Sequence, residues 1–327
     1  MNVLVVGANG QLGAACCRAL LADGHTVRGS VRSLARGAGL ERVELVEADL
    51  ARDPDLDALL RGTETLVITA NVAAPRAGDD PARFLEGEHR LLDTAGRLGV
   101  SRIVLPSLPK SSVDEKVPIA AARRLLEQRV MAAVPGSVVL RFPPFMEVWL
   151  ALVGSSLPLR GEPFATIGRP SPFLRTFRRA TGSTVEKRGV MLVPGPTSNR
   201  QAFIAVDDVA SACAVTVVDD DLAGRTLDVG GPEVLSWVEV ADVFSRVLGR
   251  RVRPVSTPTA VFAAAAAVLR PFAQVPSATM ALNRHMGSSE SVWTPGGGGL
   301  LDPDAMTTVE QFLRRKAALP AVLPVVA

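Results

Sequence analysis

The glycine turn that begins at Gly7 constrains this chain more than any other feature. Val5-Val6-Gly7-Ala8-Asn9-Gly10-Gln11-Leu12-Gly13 follows an apolar run and opens a stretch that is amphipathic to about Ala22. A strand that passes through glycines straight into a helix presents bare backbone amides at the helix N-terminus, where a pyrophosphate is held. With a buried strand before it and an amphipathic helix after it, the turn stands in the context a dinucleotide site requires. The alternative is a tight strand-to-helix turn with no ligand.

Beyond the turn, short apolar runs alternate with helical patterns, as a doubly wound parallel sheet demands. Strands are predicted at 3–6, 26–31, 43–46, 65–69, 102–105 and 137–140, and helices at about 11–22, 53–60, 82–97 and 118–130. The rhythm breaks after Phe145. Residues 146–202, rich in Pro, Gly, Arg and Phe, read as a lid and substrate-pocket insertion. Residues 203–206 read as a strand returning to the sheet and feeding a helix that Asp207-Asp208 opens, since carboxylates suit exposed helix amides. A further strand at 226–229 ends in Gly230-Gly231-Pro232. The expected architecture is a Rossmann-type α/β core over 1–145, the insertion 146–202, a return over 203–232 and a mainly helical substrate-binding lobe over 233–327. That lobe should hold helices at 237–248, near 259–271, near 277–285 and at 303–315, with a loose run at the four glycines 296–299.

Composition narrows the function. Of 327 residues, 47% are hydrophobic and 21% charged, which is globular and not disordered. Cations are almost all arginine, with lysine only at Lys110, Lys116, Lys187 and Lys316. The net charge is +3 and the densest arginine run, 169–179, is too short for a nucleic-acid stripe. The apolar run 260–269 is too short to cross a bilayer, which takes about 20 residues, and reads as a buried helix. Neither nucleic acid nor membrane is expected as a partner. Cys16, Cys17 and Cys213 are odd in number and the first two are adjacent; with no basic leader ahead of the first strand, a cytoplasmic setting is expected. The adjacent pair reads as core packing. His25, His89 and His285 lack metal-ligand spacing, so no metal is expected. His285 reads as a surface histidine in an irregular stretch, with proton donation as the alternative. The chain contains no tyrosine.

The glycine spacing is G-x-x-G-x-x-G and resembles that of extended and atypical short-chain dehydrogenases/reductases, including the NmrA-like group. Ala48-Asp49-Leu50 resembles their adenine-contacting segment after strand three. Arg102-Ile103-Val104-Leu105-Pro106-Ser107 resembles their strand five, with Ser107 where a catalytic serine or threonine sits. Leu140-Arg141-Phe142-Pro143-Pro144-Phe145-Met146-Glu147 resembles their segment beside the nicotinamide. Residues 204–210 and Gly230-Gly231-Pro232 continue the likeness. The resemblance implies cofactor contacts at Gly7, Asn9, Gly10, Gln11, Leu12, Gly13, Asp49, Leu50, Ala70, Ser107, Phe142 and Pro143. Strand two ends in Arg28-Gly29-Ser30-Val31-Arg32-Ser33 with no acid for a ribose hydroxyl. A basic residue there accommodates a 2′-phosphate, so Arg32 points to NADP(H). A solvated arginine is the alternative.

The family's usual acid is a tyrosine, assisted by a lysine four residues on. If Glu127 matches the glutamate of that helix, the lysine position holds Arg123 and the tyrosine position Ile119. Isoleucine donates no proton and arginine does not deprotonate. Three readings survive. In the first, an NADPH-dependent reductase acts on a ketone of a large, aromatic or phenolic substrate, with the proton drawn from Ser107, water or the substrate itself, and Ser107 orienting the carbonyl. Tyrosine-free members of this kind include ketoreductases of aromatic polyketides such as the angucyclinones of simocyclinone biosynthesis. In the second, the protein senses NADP(H) without turnover, as NmrA-like regulators do. In the third, Lys110 or Lys116 acts. The lid residues Phe164, Phe173 and Phe177, with Arg169, Arg175, Arg178 and Arg179, would wall a pocket for a flat acidic substrate.

Overall fold

The computed structural model describes residues 1–34, 39–70, 80–162, 165 and 181–320. The lid residues 164, 169, 173, 175 and 177–179 lie outside them. The chain divides into two compact units: Met1–Pro109, Ile119–Phe142 and Asp207–Asp228 make the first, and Lys110–Pro118, Pro143–Val206 and Val229–Ala327 the second.

The first unit starts with β1 (Asn2–Val6), α1 (Gln11–Ala22), β2 (Thr26–Val31), β3 (Glu44–Glu47), α2 (Leu56–Leu60), β4 (Thr65–Ile68), α3 (Pro81–Arg97), β5 (Arg102–Ser107), α4 (Pro118–Ala133) and β6 (Val138–Arg141). The central strands are largely apolar because helices cover both faces of a parallel sheet; β4 and β5 are buried at every position, whereas the edge strand β3 has no buried residue. Helix starts follow local chemistry. The Asp55 and Asp80 carboxylates accept backbone amides at the first turns of α2 and α3, and Pro81 sits where its missing N–H costs nothing.

The chain then enters the second unit through α5 (Met146–Leu152), α6 (Thr184–Arg188), β7 (Val190–Pro194) and β8 (Arg200–Gln201). It returns to the first with α7 (Val206–Val218) and β9 (Thr226–Asp228), and ends in the second with β10 (Leu235–Ser236), α8 (Trp237–Leu248), β11 (Arg253–Thr257), α9 (Thr259–Leu269), α10 (Gln274–Gly287) and α11 (Val309–Ala317). The first unit's sheet has seven strands in the order β3-β2-β1-β4-β5-β6-β9, every neighbouring pair parallel. This is a Rossmann-like doubly wound fold. The second unit holds two short ladders, β7 with β11 and β8 with β10. Its core gathers Trp149, Phe203, Trp237, Phe244 and Phe312, with the rings of Phe203 and Trp237 edge to face at 5.1 Å.

Four expectations need correction. Residues 203–206 are not a strand of the main sheet; Ile204 makes one isolated parallel bridge to Phe145, and β9 alone returns as the seventh strand. Phe203 is drawn into the second unit's core, and Glu147 accepts the Val206 amide at 3.0 Å, so the ladder gives way to a helix start. The run 260–269 is helical but α9 has no buried residue. His285 lies within α10, 3% exposed, with its Nε2 2.9 Å from Asp114 Oδ1; it is neither irregular nor on the surface. The glycines 296–299 are a defined turn, each at positive φ, with Gly296 donating to Gly230 O at 3.0 Å. Cys16 and Cys17 are fully buried in α1, as their core role requires. Burial pushes the Cys17 thiol up to about 12.

Candidate cofactor-binding site

Strands β1 and β4 lie side by side and converge on the glycine turn. Gly7 has φ +86°, and a Cβ there would meet the Ala70 backbone nitrogen at 3.0 Å. A Cβ at Gly13 would collide with the Gly7 carbonyl and lie 2.8 Å from Thr69 Oγ1. The first glycine thus permits the turn and the last lets α1 close onto it. The turn is tied on both sides. Gly7 and Ala8 donate to Ser30 O at 3.2 and 3.0 Å. Thr69 donates its hydroxyl to Val6 O at 2.8 Å. Thr69 escaped the sequence reading because nothing local in sequence links it to Gly7.

Helix α1 starts at Gly10, which offers no side-chain cap, and its first turn holds no acid. An α-helix leaves its first amides without intrahelical partners; side chains satisfy them at some helices, as Ser236 does at α8 and Thr308 at α11, and not at α5, α9 or α10. At α1 the glycine cradle and the helix N-terminus suit a phosphate. Asn9, Gly10 and Leu12 are half-buried, and Gln11 and Gly13 buried.

The end of β2 adjoins this turn through the Ser30 carbonyl. Arg28 is engaged elsewhere, on Glu44 at 3.2 Å and on the Arg61 carbonyl at 3.1 Å. Arg32 follows the strand and is half-buried, with Ser30 buried and Ser33 half-buried beside it in sequence. Glu47, in register with Val31, accepts the Leu34 amide at 3.2 Å. Asp49 caps a short turn by accepting the Ala51 amide at 3.1 Å, and Leu50 is buried beneath Gly87 of α3.

At the end of β5 a network of hydrogen bonds and ion pairs surrounds Ser107. Ser107 is 6% exposed and donates its hydroxyl to Glu127 Oε1 at 2.5 Å. Glu127 also accepts from Arg124, and from Arg141 at 2.6 Å. Arg123 donates to the Pro106 carbonyl and stands 4.0 Å from Glu88. Glu88 is 2% exposed, and its Oε1 has no hydrogen-bond partner among the described residues. Burial raises the Glu88 carboxyl to about 7, against the pull of Arg123, and burial lowers Arg123. Arg123, where the resemblance places a lysine, is half-buried and held by the Pro106 carbonyl. Phe142 is buried and donates its amide to Ser107 O at 3.0 Å; Pro143 is the first residue of the next unit segment. Lys110 and Lys116 are exposed, Lys116 at the end of a short 3-10 turn. Glu127 and Arg141 stand in recognisable motifs, but their mutual grip and their hold on Ser107 are visible only in three dimensions.

Among the described residues no His/Cys/Asp/Glu group could hold a metal, and no helix is long and apolar enough to cross a membrane.

Residues 7–133 match the family model described as NAD(P)H-binding. The chain is 23% identical over 326 residues to the photosystem II assembly factor Ycf39 of Synechocystis, covering 96% of this chain and 90% of that one. It spans only 59%, 33% and 40% of the lengths of three other curated relatives. Among solved structures, an NADPH-dependent quinone oxidoreductase from Escherichia coli in complex with NADPH is similar at TM-score 0.66 and 19% identity, over 96% of this chain and 99% of that one. The triphenylmethane reductase of Citrobacter with NADP(H) is similar at TM-score 0.67 and 17% identity, over 97% and 100%. The region 7–133 is an NAD(P)H-binding domain, and the chain has the Rossmann-like fold of NAD(P)H-dependent reductases.

Proposed function

We propose that this protein reduces a carbonyl on a bulky, flat aromatic or phenolic substrate with NADPH, without a protein acid. One observation carries the reading. The residues that would move a proton are Ile119 and Arg123, and Ser107, the remaining hydroxyl there, already gives its proton to Glu127 at 2.5 Å. The cofactor supplies the hydride. Its pyrophosphate fits the glycine cradle and Arg32 serves a 2′-phosphate.

Hydride addition to a carbonyl carbon leaves a negative oxygen that ordinarily needs a donor in the transition state. A ketone beside a phenol meets that need internally, because the phenolic proton passes to the new alkoxide and the charge rests on a phenolate of pKa about 10. Positioning and a closed pocket then suffice. Two of the similar structures are reductases of quinones and of triphenylmethane dyes, which are also conjugated hydride acceptors. Ser107, held by Glu127, keeps its oxygen lone pairs toward any donor and positions, but does not protonate.

The test is NADPH consumption with a hydroxyaryl ketone and its O-methyl analogue. The hydroxyl form should turn over at least about a hundredfold faster, the lower end of the usual acid–base contribution, and Ser107→Ala should leave a measurable rate. Abolished turnover in Ser107→Ala, with folding and NADPH binding intact, would restore a protein donor. A second reading, an NADP(H) sensor without turnover, draws support from the engaged donors and from the relative that carries the name of an assembly factor. Tight NADPH binding with neither a ketone nor a quinone reduced would favour it.

A further inference from the structure

Helix α9 in the second unit is inside out. Its exposed positions are Ala260, Val261, Ala264, Ala267 and Val268. They recur at three- and four-residue intervals and so share one face. The intervening positions are half-buried, α9 packs on α10, and Ser277 of α10 ties the pair by donating to Ala266 O at 2.8 Å. An ordinary surface helix turns its charges outward. α9 contains none and turns its valines out: Val261 is 54% exposed, Val268 68%, and Phe272, just beyond the helix, 85%.

Charge decides what covers this face. Between Asp242 and Glu290 there is no acidic residue, whereas Arg246, Arg250, Arg251, Arg253, Arg270 and Arg284 all fall in that stretch. Arg246 is paired with Glu310 at 2.7 Å, and Arg250 donates to the Glu186 carbonyl at 2.6 Å. Arg270, just after α9, is exposed, whereas Arg251 and Arg253 stand at the far end of β11 from it. A second copy of this chain would set like charge against like charge. A shaped protein pocket would call for large anchors along the helix, and alanines dominate here. A smooth apolar face with an exposed arginine at its end and no acid from Phe244 to Ser289 matches a fluid anionic surface.

We propose that the α9–α10 hairpin docks on an anionic lipid surface. Val261, Val268 and Phe272 enter the boundary between headgroups and acyl chains, and Arg270 meets the phosphates. The eleven residues of α9 lie in the interface and do not cross it. The proposal is independent of the reductase reading, because it uses no residue assigned to the cofactor.

Vesicle co-sedimentation of the full chain tests it, with phosphatidylcholine alone and with an equal part of phosphatidylglycerol. Binding to the mixed vesicles should be stronger by about tenfold or more and should weaken with salt. The double variant Val268→Asp/Phe272→Asp should lose about tenfold or more of it, with circular dichroism and NADPH binding unchanged. Arg270→Glu should weaken binding to the mixed vesicles by about fivefold or more, with little change on phosphatidylcholine alone. As a substitution that keeps the apolar face, Phe272→Trp should show a blue-shifted emission when mixed vesicles are added. Absence of vesicle binding, or equal binding by the aspartate double variant, would overturn the proposal. So would a wild-type dimer that this variant converts to monomer, which would assign the face to a second copy.

Discussion

Glu127 and Glu88 are both buried, but only Glu127 is fully engaged. It holds Ser107, Arg124 and Arg141, whereas Glu88 faces Arg123 at 4.0 Å and leaves one oxygen unbonded. Burial therefore raises Glu88 to about 7 from 4.5, and the folded protein holds this proton more tightly than the unfolded chain does. The stabilising effect is complete below pH 4.5, is lost as the pH rises from there to about 7, and does not change further above that. Glu88→Gln should flatten this slope and gain stability at alkaline pH, by about 3 kcal/mol at most. Urea unfolding of both proteins across that window reads it, and parallel curves would show that Glu88 titrates alike folded and unfolded. Arg32 is the other residue whose role can be isolated. Arg32→Ala should weaken NADP(H) by about 1.5–3 kcal/mol, the scale of a hydrogen bond to a charged group, and leave NAD(H) almost unchanged. Isothermal titration with both cofactors measures this; equal losses would remove Arg32 from the phosphate. Arg32 was singled out in the sequence because strand two ends without an acid. Glu88 was not, because its partner Arg123 comes from α4, distant in sequence.

At the scale of elements, the glycine turn works because α1 presses against it. Gly13→Ala places a methyl against the Gly7 carbonyl, with Thr69 Oγ1 2.8 Å away, and backbone atoms cannot rotate aside. A cost of about 1–3 kcal/mol in stability is expected from such overpacking, together with weaker binding of both NADPH and NADH. Thermal unfolding and titration with each cofactor check it; a normal melting temperature with normal binding would show that the turn relaxes freely. Elements with strong local signals were readable to the residue: α1, β2 and α8 fall where glycine punctuation and periodicity place them. Residues 203–206 misled because Phe-Ile-Ala-Val satisfies a strand and a core segment equally. α9 misled because an all-apolar helix is ordinarily buried, and only tertiary structure reveals what its surroundings leave open.

At the scale of the molecule, two units draw on interleaved segments of one chain, so no single cut in sequence separates them. Chain-local physics was enough for the cofactor domain. Glycine at Gly7 and Gly13, alternation of strand and helix, and the absence of an acid after β2 are properties of neighbouring residues, and they determined a Rossmann-type sheet and pointed to a dinucleotide. The absence of tyrosine likewise removed the usual acid before any coordinate was known. What only the tertiary structure decided rests on residues far apart in sequence. The Glu127 grip on Ser107, the unsatisfied Glu88, the Asp114–His285 pair and the outward face of α9 each follow from which segments meet, and burial and electrostatics act through space irrespective of chain order.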